Sequence, residues 1–126
     1  MHGSGYSRYQ LQVPLLLSVP GLAPGVVSTR TSHYDVPPTL LGRVLGCAND
    51  PVDFSSGADL LDGADWDWLV AGSYYNYAVL EPDRITVTFP NGLFEVRDAD
   101  YQPLAEPGIN AELLQDVMRE NRRFHR

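Results

Sequence analysis

The sequence predicts an α+β fold, in which one buried strand and a helix precede a small antiparallel sheet of about four strands covered by a C-terminal helix. Three patterns support this fold. The run Val13–Val19 is apolar on both alternating faces, a period of two residues begins at Trp66, and apolar side chains recur at helical spacing in the last residues.

The composition indicates one globular domain. The chain has 126 residues, of which 44% are hydrophobic and 20% charged, and these proportions exclude wholesale disorder. A net charge of -7 argues against a nucleic-acid partner, because it repels a polyanion. Cys47 is the single cysteine, which excludes a disulfide framework and a multi-cysteine zinc site. No apolar run is long enough to span a bilayer, so we expect no membrane contact by this segment itself.

The first predicted element is a strand at Val13–Val19. It is closed by Pro20-Gly21, and Pro14 lies at its beginning, where a missing backbone donor is tolerable. A run that is apolar on both faces is typical of a strand buried in a parallel sheet.

The second predicted element is a helix between Asp35 and Gly46. Asp35 is a favourable N-cap, because its carboxylate can accept hydrogen bonds from the free amides of the first turn. Two prolines follow in that turn, where proline is tolerated, and Gly46 ends the helix. The apolar residues at helical spacing are Leu40, Leu41, Val44 and Leu45. The strand and this helix make half of an α/β unit.

An acidic loop follows the helix, and its carboxylates suggest a calcium site as one interpretation. The residues concerned are Asp50, Asp53, Asp59, Asp62, Asp65 and Asp67. A calcium loop needs ligands at close alternating spacing and a bidentate acid at its end, whereas these acids are scattered. We therefore favour a solvated loop.

Three turns are predicted in the antiparallel sheet, and the middle turn, at Glu81-Pro82-Asp83, joins the two hairpins described next. The first turns at Gly72-Ser73, and the second turns at Asn91-Gly92, a strong signal for a two-residue turn. That turn pairs Phe89 with Phe94 and Val87 with Val96, which makes one face wholly apolar.

The predicted C-terminal helix runs from Asn110 to Phe124. Asn110 is its N-cap, Glu112 lies at its positive end, and arginines lie at its negative end. Its apolar stripe, which should cover the sheet, consists of Leu113, Leu114, Val117, Met118 and Phe124.

The histidines and the cysteine are the first candidates for chemistry. His2 could contact an anionic substrate or a metal ion, or it could belong to a flexible start, and His33 could order the start of the helix. Cys47 with His33 is a weak candidate for a nucleophilic pair, because a single cysteine among apolar residues is usually part of a core. From the residues, we assign no catalytic group and no metal ligand.

The aromatic residues of the first hairpin offer an alternative function. Trp66, Trp68, Tyr74, Tyr75 and Tyr77 could form the contact surface of a free-standing interaction or carbohydrate-binding module. Alternating aromatics on a strand are more often core and cross-strand packing.

Two segments resemble sulfatases and their relatives. Tyr6–Gly21 is similar to the family strand in which Val-Pro precedes an apolar run ending in Pro-Gly. Thr31–Leu41 is similar to the following helix, with its Asp and its Pro-Thr-Leu-Leu. The likeness covers most of the chain, from about Tyr6 to the C-terminal helix and including Asp53–Leu61, and it is nearest to bacterial inner-membrane sulfatase-like proteins of the alkaline phosphatase superfamily.

The resemblance implies a single C-terminal subdomain of a sulfatase-like α/β hydrolase over residues 1–126. Residues 1–48 would end the main sheet, 49–66 would form the acidic loop, and 67–126 would form the antiparallel sheet with its terminal helix. The parent would hydrolyse sulfate or phosphate esters with a divalent metal on the periplasmic side of the inner membrane. This segment would lack the nucleophile and the main metal ligands, so no cofactor is expected in it.

The resemblance also implies one site residue and two partners. His2-Gly3 aligns with a family motif near the anionic group of the substrate, so His2 is the expected substrate-binding residue. The expected partner is the rest of the parent hydrolase domain. Because a cut sheet exposes an apolar strand, we also expect a homo-oligomer of the isolated segment.

Overall fold

In the computed structural model, which describes residues 5–63, 65–105 and 108–124, four strands form one antiparallel sheet. Together with a C-terminal helix, this sheet confirms the predicted α+β class. The strands pair in sequence order and are β1 (Leu69–Gly72), β2 (Tyr77–Leu80), β3 (Arg84–Thr88) and β4 (Phe94–Asp98).

The chain divides into two compact units. The sheet unit comprises Met1–Pro14 and Asp67–Arg126, and the central unit comprises Leu15–Trp66. The division at residues 48 and 66, and the assignment of the whole chain to one subdomain, stay predictions.

The first hairpin forms, but its turn is longer than predicted. Gly72 pairs with Tyr77, so residues 73–76 make the loop. The Ser73 amide donates to the Asn76 carbonyl at 2.8 Å, and the Ser73 hydroxyl donates to Asn76 Oδ1 at 2.6 Å. These hydrogen bonds between Ser73 and Asn76 hold the loop closed. The predicted turn at Gly72-Ser73 is wrong, because the loop consists of the four residues 73–76.

The register predicted for the second hairpin is wrong by one residue. Thr88 pairs with Phe94 and Thr86 with Val96, so three residues, rather than two, form the turn. A two-residue turn would place Pro90 in the closing pair, where a backbone N–H is needed and proline has none. Phe89 supplies that donor instead, bonding the Leu93 carbonyl at 2.9 Å. Proline second and a left-handed Gly92 (φ 80°) fourth suit a type I turn.

This register gives the sheet two different faces. Ala78, Ile85 and Val87 lie on the face that packs against buried Tyr6. On the opposite face, Thr86 pairs with Val96, and both residues are buried. Because β4 is shifted by one residue, its charged Arg97 shares the Tyr6 face, where its guanidinium lies 4.4 Å from the centre of the Tyr101 ring.

Tyr6 ties the start of the chain to the sheet. Its amide donates to the Tyr101 hydroxyl at 3.0 Å, and its own hydroxyl lies 2.7 Å from both the carbonyl oxygen and Oδ1 of Asn76. The short helix α1 (Arg8–Leu11) follows, and Leu11 packs against the same core. A buried phenol with these acceptors fixes both the N-terminal segment and the first hairpin loop.

The C-terminal helix α3 spans Ala111–Arg122. As predicted, Asn110 caps it, with Oδ1 accepting from the Leu113 amide at 3.1 Å. Glu112 lies in the first turn, and Arg119 and Arg122 lie in the last, which suits the helix dipole. Val117 is fully buried, which agrees with the predicted inward stripe.

The buried strand predicted at Val13–Val19 is wrong. These residues have no regular secondary structure, and Leu16 is 96% exposed. A strand that is apolar on both faces needs strand neighbours and cover on each face. Each pair of neighbours in the sheet is antiparallel and consecutive in sequence, so this run has no parallel neighbour among the described strands.

The predicted helix of the central unit forms in three pieces. A 3-10 turn (His33–Asp35) leads into α2 (Val36–Thr39), which continues as one π turn (Leu40–Val44). Gly46 (φ 68°) follows the end of these turns, as predicted. A further 3-10 turn spans Pro51–Asp53.

Asp35 holds the N-cap position of α2, as predicted, but its carboxylate makes no capping hydrogen bond there, and the capping box of the preceding 3-10 turn begins three residues earlier. Ser32 is the cap, its hydroxyl accepting from the Tyr34 amide at 3.1 Å. The Asp35 carboxylate completes the box by accepting a hydrogen bond from the Ser32 amide at 2.6 Å. A capping box of this kind satisfies two free amides, whereas a single N-cap satisfies one, so it is the better use of the same residues.

The buried Tyr6 phenol should make the stability of the sheet unit depend on alkaline pH. Burial raises its pKa above the usual 10.0. A raised pKa means that the contribution of the phenol is complete below about pH 10 and is lost as the pH rises through the folded-state value. We expect Tyr6→Phe to lower the free energy of unfolding by about 1 kcal/mol at neutral pH, because the hydroxyl hydrogen bond is lost.

Urea unfolding of wild type and Tyr6→Phe at neutral and alkaline pH measures this difference. It should shrink above about pH 10. Exposed Tyr9→Phe is the control and should match wild type at both values of pH. A gap between wild type and Tyr6→Phe that stayed constant with pH would contradict the assignment.

Candidate functional site

The sequence-predicted chemical residues do not form a site among the described residues. His2, the expected substrate-binding residue, lies outside them. His33 and Cys47 are both exposed. The helical turns from His33 to Val44 separate them, which corresponds to a rise of about 15–20 Å and excludes a hydrogen-bonded nucleophile pair.

Several carboxylates of the acidic loop bind partners within the protein. Asp50 caps the Pro51–Asp53 turn by accepting from the Val52 amide at 3.1 Å. Asp59 and Asp62 both bind the guanidinium of Arg43, whose pKa is raised first by the hydrogen bond to Asp59 and then by the two charges. Among the residues that the structure describes, no three His, Cys, Asp or Glu side chains are grouped to hold a metal ion.

The aromatic residues of the first hairpin separate into two roles. Trp66 belongs to the central unit and directs its indole N–H inward. Tyr74 and Tyr75 are exposed in the loop of the first hairpin. Trp66 is thus engaged within the central unit, whereas Tyr74 and Tyr75 belong to the sheet unit, and a platform that also includes Trp68 and Tyr77 stays a prediction.

The main polar feature of the central unit is the Asp35 carboxylate, which is 2% exposed. Oδ2 accepts from the Ser32 amide, and Oδ1 accepts from the Ala58 amide at 2.8 Å. The Trp66 indole N–H lies 3.0 and 3.1 Å from the two oxygens. Three donors, from the helix start, the acidic loop and the end of the unit, therefore converge on one buried carboxylate.

Thr39 extends this network along the helix. Its hydroxyl donates to the Asp35 carbonyl at 2.7 Å and accepts from the Leu60 amide at 2.8 Å. Thr39 is 1% exposed, so both bonds are shielded from water. Thr39 therefore makes a second connection between the helix and the acidic loop, about one helical turn beyond the Asp35 carboxylate.

Ser55 and Gly57 bring the loop against the helix start. The Ser55 hydroxyl donates to the Tyr34 carbonyl at 2.6 Å and accepts from the Gly57 amide at 3.0 Å. A Cβ atom on Gly57 would lie 1.9 Å from the Tyr34 carbonyl oxygen, so only glycine allows this approach. We call the group Asp35, Thr39, Ser55, Gly57 and Trp66 the polar clasp.

The clasp fixes structure rather than performing chemistry. Both carboxylate oxygens are occupied by N–H donors, and burial excludes a substrate or a metal ion from them. An acceptor in this state stabilises the amides around it, because charge-assisted hydrogen bonds are stronger than neutral ones. Its role is to hold a short helix and a loop, both poor in buried apolar residues, in one arrangement.

Sequence reasoning missed the clasp, although its signal was present. Thr31–Leu41 and Asp53–Leu61 were both noted for their likeness to one family, and the clasp joins these two segments. Two short polar motifs that occur together indicate contact between them. Asp35 was instead assigned to a local cap, and Trp66 to the sheet.

Comparison with known proteins relates the chain to bacterial inner-membrane proteins. It is 28% identical over 120 residues to the inner membrane protein YejM of Salmonella typhimurium and to that of Salmonella typhi, a match that covers 94% of this chain and 20% of each relative. An uncharacterized protein of Haemophilus influenzae is 31% identical over 97 residues, or 76% of this chain and 17% of that protein. No family model matches.

The chain therefore spans about a fifth of the length of these relatives. The two Salmonella relatives are named as inner membrane proteins. Across the described residues of this chain, every helix is too short or too polar to cross a bilayer.

Asp35→Asn should destabilise the central unit by about 3 kcal/mol, because an amide NH₂ group would face N–H donors in a buried site. Urea unfolding followed by tryptophan emission measures this loss, since the Trp66 indole is one of the partners. The exposed carboxyl of Asp53 provides the matched control, Asp53→Asn, which should remain within about 0.5 kcal/mol of wild type. Equal stability of the two variants would contradict the clasp.

Gly57→Ala should cost about 3 kcal/mol or more, because its methyl group would overlap backbone atoms of Tyr34 and Asp35. The control is Gly42→Ala in the π turn, where a Cβ would meet nothing within 4 Å. That change should be neutral or stabilise by up to about 1 kcal/mol, since alanine favours helices. Thermal unfolding of both variants by circular dichroism distinguishes them, and a Gly57→Ala Tm equal to that of wild type would contradict the close approach.

Proposed function

We propose that this chain is the C-terminal part of a sulfatase-like hydrolase acting on sulfate or phosphate esters, including lipid-linked ones, and that it is not catalytic on its own. The observation that carries the proposal is the match of 94% of the chain to about a fifth of an inner-membrane protein. The location that follows for this part is the periplasmic side of a bacterial inner membrane.

The clasp supports this proposal because it joins the two segments that resemble the sulfatase pattern. Asp35 comes from Thr31–Leu41, and the Ala58 amide that it accepts comes from Asp53–Leu61. Thr39 and Leu60 connect the same two segments again. The resemblance therefore falls on residues with a shared structural task, which scattered similarity would not explain.

The described side chains also suit a non-catalytic role. Metal-assisted ester hydrolysis needs a held cation and an oriented nucleophile together. In the acidic loop, Asp59 and Asp62 bind Arg43 and Asp50 accepts from a backbone amide, and Cys47 lies beyond the far end of the helical turns that begin at His33. In our proposal the nucleophile and the divalent metal ligands belong to the rest of the parent protein.

The exposed apolar segment at residues 9–29 supports the proposal that another polypeptide covers this part of the chain. No residue from Tyr9 to Thr29 is charged, and Val13, Leu15, Leu16 and Val26 are all more than half exposed. Exposed apolar runs of this length mark surfaces that bind other polypeptide. We propose that the rest of the parent hydrolase domain covers this segment.

A chimera tests the proposal. The matching 120 residues of the Salmonella typhimurium relative are replaced by the corresponding residues of this chain, and the membrane fraction is treated with thermolysin, which cleaves before large apolar residues. We expect Leu15–Leu17 to be cut in the isolated chain and protected in the chimera. The matched control is the same chimera carrying Asp35→Asn, in which protection should fall.

Two results would contradict the proposal. One is equal cleavage of Leu15–Leu17 in the chimera and in the isolated chain, because the segment would then have no cover in the parent. The other is turnover of p-nitrophenyl phosphate or p-nitrocatechol sulfate by the isolated chain with Mg²⁺, Ca²⁺, Mn²⁺ or Zn²⁺, because the chain would then be catalytic on its own.

A further inference from the structure

The turn between β3 and β4 contains the only Asn-Gly pair of the chain, Asn91-Gly92. A glycine after an asparagine leaves the backbone nitrogen between them accessible to the asparagine carboxamide, because glycine has no side chain to keep the two apart. Asn91 and Gly92 are both exposed, and a Cβ atom on Gly92 would meet no other atom within 4 Å. Water therefore reaches the Asn91 side chain, and the turn has free space around it.

Hydrogen bonds hold both of these groups in the folded turn. The Gly92 amide donates to the Phe89 carbonyl at 3.0 Å, so its proton is engaged. The carboxamide of Asn91 is held as well, since its Oδ1 accepts from the Leu93 amide at 3.1 Å. The Gly92 N–H must be released from Phe89 before its nitrogen can act as a nucleophile.

We propose that Asn91 is a modification site, at which spontaneous deamidation consumes water and is slowed by the folded turn. The Gly92 nitrogen loses its proton to base and bonds to Cγ of Asn91, the C–N bond of the carboxamide breaks, and ammonia leaves. Water then opens the cyclic imide. Overall, one amide and one water give one carboxylate and one ammonia, without a change of oxidation state.

The cyclic imide opens in two ways and gives two different backbones. Water that adds at Cγ restores the normal backbone and leaves an aspartate at position 91. Water that adds at the backbone carbonyl carbon of position 91 leaves an isoaspartate, in which the chain runs through the former side chain and is one atom longer. Both products add one negative charge to the turn, so only the backbone distinguishes them.

The turn accommodates aspartate but not isoaspartate. A carboxylate oxygen can accept from the Leu93 amide as Oδ1 of Asn91 does, and a charged acceptor makes the stronger bond. The extra backbone atom of isoaspartate lies between Phe89 and Leu93, whose amide and carbonyl close the hairpin at 2.9 Å. It displaces this closing bond and disturbs the register of β4, in which Val96 is buried. Every residue involved lies in this hairpin, so the reaction does not require the proposed hydrolase.

Mass spectrometry of the aged full-length chain tests the modification site. The chain is kept at mildly alkaline pH, folded in buffer or unfolded in guanidinium chloride, at the same pH and temperature, and is then digested. We expect the peptide that carries Asn91 to gain the mass difference between asparagine and aspartate at least about fivefold faster in the unfolded chain, because the hydrogen bond of the Gly92 amide is lost there. The internal controls are the asparagines that precede larger residues, and they should stay unchanged: Asn49, Asn76, Asn110 and Asn121.

Two results of this experiment would overturn the proposal. An Asn91 that stays intact in the unfolded chain would show that position 91 is not a modification site. A rate in the folded chain that equals or exceeds the rate in the unfolded chain would show that the turn gives no protection.

Thermal unfolding of the products tests the effect on the hairpin. The isoaspartate form is isolated from aged protein by chromatography, and we expect it to unfold at a lower temperature than wild type. Asn91→Asp is the matched control, because it carries the same added charge on a normal backbone, and it should unfold at the wild-type temperature. Equal midpoints for the isoaspartate form and Asn91→Asp would contradict the expected difference between the two backbones.

Discussion

The buried carboxylate of Asp35 is the constraint on which the central unit depends. A carboxylate removed from water costs several kcal/mol unless donors replace the lost hydration. The donors are the Ser32 amide, the Ala58 amide and the Trp66 indole, which come from three separate parts of the unit. The carboxylate is fully compensated only when all three donors bind it. The helix start, the acidic loop and Trp66 are therefore expected to become ordered together.

Local patterns predicted most elements, but not how they meet. The two hairpins, the cap at Asn110 and the stop at Gly46 follow from turn and capping preferences within a few residues. The register of the second hairpin does not follow from Asn91-Gly92 alone, because Pro90 comes directly before this pair. The missing N–H of that proline moves the closing hydrogen bond to Phe89, and the one-residue shift reverses the faces of β4.

Less of the candidate site could be predicted from the sequence. The side chains of His2, His33 and Cys47 are the ones with reactive chemistry, yet the important group is Asp35, whose role depends on an amide far along the chain. Such contacts leave no periodic pattern. The prediction of a buried strand at Val13–Val19 is wrong for a related reason. An apolar run becomes a buried strand only if neighbouring strands cover it, and the sequence of the run itself does not show whether such neighbours exist.

The attachment of Tyr6 has a consequence for how this chain is made. Its partners Asn76 and Tyr101 lie 70 and 95 positions further along, and the whole central unit is encoded between them. During synthesis the first residues must wait until both partners have left the ribosome, whereas the central unit can close earlier, because the hydrogen bonds among its described residues join positions at most 36 apart. Contacts of such long range slow folding, so the sheet unit should be completed last, with the apolar start of the chain accessible to chaperones in the meantime.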